Sequence, residues 1–263
     1  MSFIDILRAE YKLTYSELFR RKSALISIII YPYLFTGFIL FFGLTLGSIE
    51  VFNRRIGADP IIYMITASYL MISLFAVIDD ILWRPISSEY DGTLPYVIVS
   101  PVNKLKYYFA IPFPRLTVIV LTGLTSIVPV YFYYNGLNGL ISSLYILVLT
   151  LIGSISMITI AVIIMSIIGL IGESWRVLNI IRPILMILLG VYYPRILMPT
   201  LIYIVSSLIP ASYIIEIIQK TLSKTPVEIY LLLLIAIAIT LFYSPISYKS
   251  IYFWEKRKVK KGV

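Results

Sequence analysis

The chain alternates between long stretches without a single charge and short segments that hold nearly every Lys, Arg, Asp and Glu. Residues 23–49, 60–78, 116–172, 196–215 and 229–248 contain none of the four. A helix needs about 20 apolar residues to cross a hydrocarbon core about 30 Å thick, so each window holds at least one crossing. The third window is 57 residues long. Asn135-Gly136-Leu137-Asn138-Gly139 interrupts it with residues that accept left-handed turns, and it predicts a helical hairpin. Another apolar stretch begins at Val177, is interrupted by Arg182 and Pro183, and reaches Tyr192-Tyr193-Pro194-Arg195. Ahead of the first window, Phe3, Leu7, Tyr11, Tyr15 and Leu18 recur at helical spacing, with Asp5, Arg8, Lys12 and Ser16 on the other face. This predicts an amphipathic interfacial helix over 1–22, lying on the inner leaflet. A signal peptide would place its apolar stretch directly after a short basic region.

Charge decides how the spans are oriented. Both ends are basic: Arg8, Lys12, Arg20, Arg21 and Lys22 at one, Lys249, Lys256, Arg257, Lys258, Lys260 and Lys261 at the other. The positive-inside rule wants both ends in the cytoplasm, which an even number of spans satisfies. The expected architecture is therefore an all-α, polytopic membrane protein. Its six-span domain covers 23–263, with crossings near 24–46, 61–82, 108–134, 140–168, 177–194 and 228–248. Seventeen Lys and Arg residues then lie inside, and five lie outside: Arg54, Arg55, Arg195, Lys220 and Lys224. Parity turns 195–226 into a re-entrant outer segment, broken by Pro194, Pro199 and Pro210. Non-helical backbone at that depth needs protein around it, from neighbouring helices or a second subunit.

Composition agrees with this and removes other chemistries. Of 263 residues, 60% are hydrophobic and 13% charged, against about 25% charged in soluble domains. There is no Cys and no His, which excludes disulfides, thiolate sites and imidazole chemistry. The net charge of +9 is read as topology and not as a nucleic-acid surface. No P-loop exists among the 13 glycines, so nucleotide must bind elsewhere. Asp79, Asp80, Glu173 and Glu216 fall at span ends and read as solvated boundary residues near Arg84 or Arg176. As ion-coupling groups they would define a secondary transporter, which should also show an internal repeat and mid-membrane breaks. A non-transporting membrane scaffold is the third reading. The 22 tyrosines largely suit headgroup depth, while Tyr131, Tyr133, Tyr134, Tyr192 and Tyr193 are also placed for an outer mouth.

The cytoplasmic connection 83–107 contains SSEYDGTLPYVIVSPV. In it Gly92 allows a sharp turn, Thr93 or Asp91 can cap a short helix, and Leu94, Val97 and Ile98 form an apolar face for a partner groove. This stretch resembles the inner loop of ABC-2 type permeases: an acidic residue (Glu89, Asp91), then Gly92-Thr93-Leu94, then Ser100-Pro101-Val102. Pro95 departs from the family pattern and fits only a first helical turn. A second stretch, GVYYPRILMPTLIYIVSSLIPASYIIEIIQ, resembles the family's outer re-entrant region through Tyr192, Tyr193, Pro194, Pro199, Pro210, Tyr213 and Glu216.

The resemblance implies a non-enzymatic transport subunit of an ATP-driven exporter in the cell membrane. It implies that 83–107 is the coupling loop, contacting a separate ATP-binding cassette ATPase subunit that carries ATP and Mg. No cofactor is expected on this chain. A second permease chain, identical or related, would complete the path for a lipid-like or glycan substrate. On this reading Gly92→Pro or Leu94→Asp would detach the ATPase and leave the membrane fold intact.

Overall fold

The computed structural model describes residues 2–18, 20–46, 48–171 and 174–260. The described residues are all-helical or turn, without strands. In chain order the helices are α1 (Phe3–Leu18), α2 (Lys22–Leu46), α3 (Ile49–Ile56), α4 (Pro60–Tyr90), α5 (Leu94–Val99), α6 (Lys104–Ala110), α7 (Phe113–Ile171), α8 (Ser174–Leu189), α9 (Thr200–Ser206), α10 (Pro210–Leu222) and α11 (Ile229–Lys260). A 3-10 turn at Arg195–Leu197 precedes α9.

α4, the stretch Lys104–Gly169 that runs from α6 through most of α7, and α11 are long and apolar enough to cross a membrane. The pair α9 and α10 makes a fourth candidate if taken together, bent by 113° at Ser207–Ile209. Ile26–Phe41 within α2 is a shorter apolar stretch.

α7 is not one rod. Gly136 has φ +57 and ψ −137, a conformation an L side chain resists, and the helix folds back there. A Cβ at Gly139 would overlap the Tyr131 carbonyl, and one at Gly123 would lie 3.0 Å from Leu147 Cδ1. Residues 123 and 147 would be about 36 Å apart on a straight helix. The expected hairpin is therefore present, with arms 113–135 and 137–171.

α4 is the central helix. Along most of its length it is enclosed by the other helices: Tyr63, Tyr69, Leu74, Val77, Ile78 and Ile81 are all buried. Its polar side chains find partners on α7: Tyr69 Oη donates to the Ile119 carbonyl at 3.1 Å, and the Thr66 and Tyr131 hydroxyls meet at 2.7 Å. α2 leans on this pair through Thr36, whose Oγ1 donates to Ser68 Oγ at 3.1 Å, and Tyr33, whose Oη donates to the Thr125 carbonyl at 2.6 Å. Other bulky residues of it, among them Leu34 and Phe38, are exposed. α10 is buried within the protein, its Ile214 in van der Waals reach of Gly153 on the return arm. α11 lies on the outside, touching the rest through Ala236, Ser247, Ile251 and Trp254.

The inner segment 83–107 is mostly helical: α4 continues through Pro85 to Tyr90, and two further helices follow. α11 runs on to Lys260, past the crossing expected at 228–248. α1 forms as expected, with Ile6 and Glu10 buried and Tyr11 and Tyr15 of the expected lipid-facing stripe exposed. Its inner face is set by distant partners: Glu10 pairs with Arg84 of α4, and Phe3 packs edge-on against Phe113.

Candidate functional site

Two polar clusters stand out, one at each end of the bundle. The first gathers the predicted coupling residues. α4 ends at Asp91, which caps by position, and Gly92 turns the chain at φ +67. Pro95 sits in the first turn of α5, where its missing N–H costs nothing. Thr93 stands at the helix start without capping it; its Oγ1 donates to the Ser88 carbonyl at 3.3 Å.

Leu94 and Ile98 turn inward, 1% and 5% exposed. This corrects the expected partner-facing surface: Leu94 lies in the molecule's own core, Val97 is half-buried, and Tyr90, Tyr96 and Val99 project outward instead. Beneath α5, Leu94 lines a small gap shared with Leu82, Met165 and Trp254 of α11. The turn at Ser100-Pro101-Val102 is held by Lys104, which the sequence reading did not single out. Its Nζ donates to the Ser100 carbonyl at 2.7 Å and the Val102 carbonyl at 3.2 Å, and stands 3.6 Å from Glu255. Glu89 reaches Lys258 at 3.3 Å. Both ion pairs tie the inner segment to the end of α11.

A cavity of about 470 Å3 lies beside this segment, between α1, α4 and the start of α7. Its wall includes Glu17, Asp80, Asp91, Arg84 and Arg115. Asp80 accepts a two-pronged contact from Arg115 at 2.8 and 2.7 Å, and Asp79 accepts from Arg182 at 2.9 Å. Asp80 and Asp79 are thus paired with Arg115 and Arg182, while the nearby Arg84 turns to Glu10. Glu173 lies outside the described residues. Burial raises the pKa of Glu10 above its ordinary range, outweighing the lowering pull of the Arg84 guanidinium.

The second cluster centres on Arg195, 1% exposed. Its Nη1 donates to Glu216 at 2.8 Å and Nη2 to Ser207 Oγ at 3.0 Å, and the Tyr203 and Tyr213 rings flank the guanidinium, each 4.9 Å from it. Delocalised charge suits this sandwich. Tyr213 Oη donates to the Ser207 carbonyl at 3.0 Å, closing the bend between α9 and α10. Gln219 Nε2 donates to the Gly190 carbonyl at 2.7 Å and the Tyr193 carbonyl at 3.2 Å, fastening Tyr192-Tyr193-Pro194 to α10. Pro194, Pro199 and Pro210 each begin a helical element, where proline is tolerated.

Arg195, Ser207, Tyr203 and Gln219 were missed as site residues. A cation inside an otherwise apolar stretch was the available signal. Of the five tyrosines placed for an outer mouth, Tyr131 is buried on Thr66 and Tyr133 is 85% exposed. None of the five lines the cavity of about 650 Å3 beside Arg195. Among the described residues no carboxylate group is arranged to hold a metal.

Together these features define an all-helical protein with three, or with the bent pair four, helices able to span a membrane. No family model matches the chain, and no curated protein or solved structure does either.

Proposed function

We propose that this chain is the six-span membrane subunit of an ABC-2 type exporter, working with a separate ATP-binding subunit and a second permease chain. The observation that carries the reading is α5, a short helix behind a tight turn. Its Leu94 side is buried in the core beside a gap shared with Trp254, and Tyr96 and Val99 are 78% and 82% exposed. In the orientation the charges favour, these two residues face the cytoplasm and offer a protruding apolar pair to a groove on the ATPase.

An ATPase closing on Tyr96 would press α5 against Trp254. Glu89–Lys258 and Lys104–Glu255 tie the helices on either side of α5, α4 and α6, to the end of α11, so the push reaches α11. ATP and Mg belong to the partner, and this chain does no covalent chemistry. The six crossings are α2, α4, the two arms of α7, α8 and α11. The bent pair α9 and α10 dips in from the outer face of the cell membrane and returns, and both termini are cytoplasmic. A lipid-like or glycan substrate leaves between two permease chains. The ion-coupled alternative is weakened because Asp79, Asp80 and Glu216 are each held by an arginine.

The test is to purify the tagged chain in mild detergent from its native membrane and identify its companions by mass spectrometry. A co-purifying P-loop subunit is expected. Repeated preparations of folded chain without an ATPase would overturn the assignment and make Asp79, Asp80, Glu173 and Glu216 the next targets.

A further inference from the structure

Of the five basic residues that the charge count leaves on the outer side, three line one cavity. Arg55 comes to it from α3, Arg195 from the 3-10 turn and Lys220 from α10, around a volume of about 650 Å3. Positive charge on the outer side runs against the topological bias, so its convergence on one place calls for a reason other than orientation.

One carboxylate, Glu216, faces these three cations, and it is already engaged on both oxygens: Oε2 by Arg195 and Oε1 by Lys220, each at 2.8 Å. Arg55 has no ion-pair partner among the described residues and is exposed. The cavity therefore keeps a net positive field, with a free guanidinium at its edge and a half-exposed ammonium within it. Arg195, sandwiched by two rings, is a fixed charge and not a mobile ligand arm. Ile196, in the cavity wall, is 85% exposed, and Leu201, next in sequence to the lining residue Thr200, is 75% exposed.

We propose that this outer cavity binds the phosphate or carboxylate headgroup of an anionic amphiphile. Arg55 makes the forked contact to the anion, Lys220 adds a second charge, and the chain lies along Ile196 and Leu201. The role of such a molecule as exported substrate rests on the function proposed above; the binding itself does not.

The test uses the purified chain in phosphatidylcholine nanodiscs, titrated with decyl phosphate, inorganic phosphate and the neutral decyl maltoside. Saturable binding of decyl phosphate is expected. It should weaken at least about tenfold in Arg55→Ala/Lys220→Ala, a loss of about 1.4 kcal/mol, remain in Arg55→Lys, and be unchanged in Arg54→Ala. Both altered side chains reach solvent, and an unchanged melting temperature verifies the fold. Inorganic phosphate binding as tightly as decyl phosphate would overturn the amphiphile and leave a soluble anion as ligand. No saturable binding, or full affinity in Arg55→Ala/Lys220→Ala, would overturn the site. Specific binding together with absence of an ATPase partner would overturn export and keep the site.

Discussion

The indole of Trp254 lies directly over Gly169, so that a Cβ at 169 would overlap Nε1 and stand 2.8 Å from Cδ1. Trp254 is fully buried, edge-on to Tyr108 with ring centres 6.0 Å apart, and its Nε1 has no acceptor among the described residues. This contact seats the end of α11 on the return arm of α7 and on the inner segment together. Gly169→Ala should push the indole out of its socket at a cost of about 1–3 kcal/mol. A thermal melt in detergent checks it, and a melting temperature equal to that of the unaltered chain would show that the socket has slack.

Arg195 is expected to be the least replaceable residue of the bent pair. Arg195→Ala leaves Glu216 with Lys220 alone and empties the space between two tyrosine rings, a loss of about 1.5–3 kcal/mol for the charged hydrogen bonds removed. Arg195→Lys should not rescue, since an ammonium cannot serve Glu216, Ser207 and both rings at once. Yield and monodispersity after solubilisation report the result. Two well-folded variants would mean that the Gln219 clamp suffices to hold the bend.

The docking of α1 should depend on pH. Burial raises the Glu10 pKa, so the docked form takes up a proton more readily than the undocked form, whose value is near 4.5. Docking stability is then complete below 4.5 and declines as pH rises through the raised value. Because the chain has no cysteine, a spin label at Lys12→Cys reads the mobility of α1 alone. Mobility should increase with pH, and Glu10→Gln should flatten the profile. A slope that survives in Glu10→Gln would assign the effect to another group.

Tyr96 and Leu94 should separate partner binding from folding. Leu94→Asp buries a carboxylate beneath α5 and should destabilise the protein by about 3 kcal/mol or more, not the silent membrane fold that the sequence suggests. Tyr96→Ala/Val99→Ala should leave the melting temperature within a degree or so, as exposed substitutions usually do, while reducing recovery of the ATPase. Unreduced recovery would move the contact away from α5.

The sequence by itself determined which segments are apolar and long enough for a membrane, and the places where the chain must bend. Uncharged windows define membrane-length helices because lipid offers no partner to charge or free backbone. Gly136 announced the reversal and Pro199 and Pro210 the starts of α9 and α10, because their backbone preferences are local properties. Which face of each helix meets the protein was decided only by the tertiary structure. The apolar run from Leu94 to Ile98 reads as a partner face in sequence, yet Leu94 and Ile98 lie in the core, where Leu94 shares a gap with Trp254, 160 residues later in the chain, while Tyr96 points outward. Likewise Asp79 and Asp80 find Arg182 and Arg115 through the packing of α4, α7 and α8, while the nearer Arg84 turns to Glu10. In a chain this apolar, hydrophobicity says that a residue avoids water and not whether lipid or protein covers it. That distinction is made by shape and by the pairing of the few charges, which are long-range.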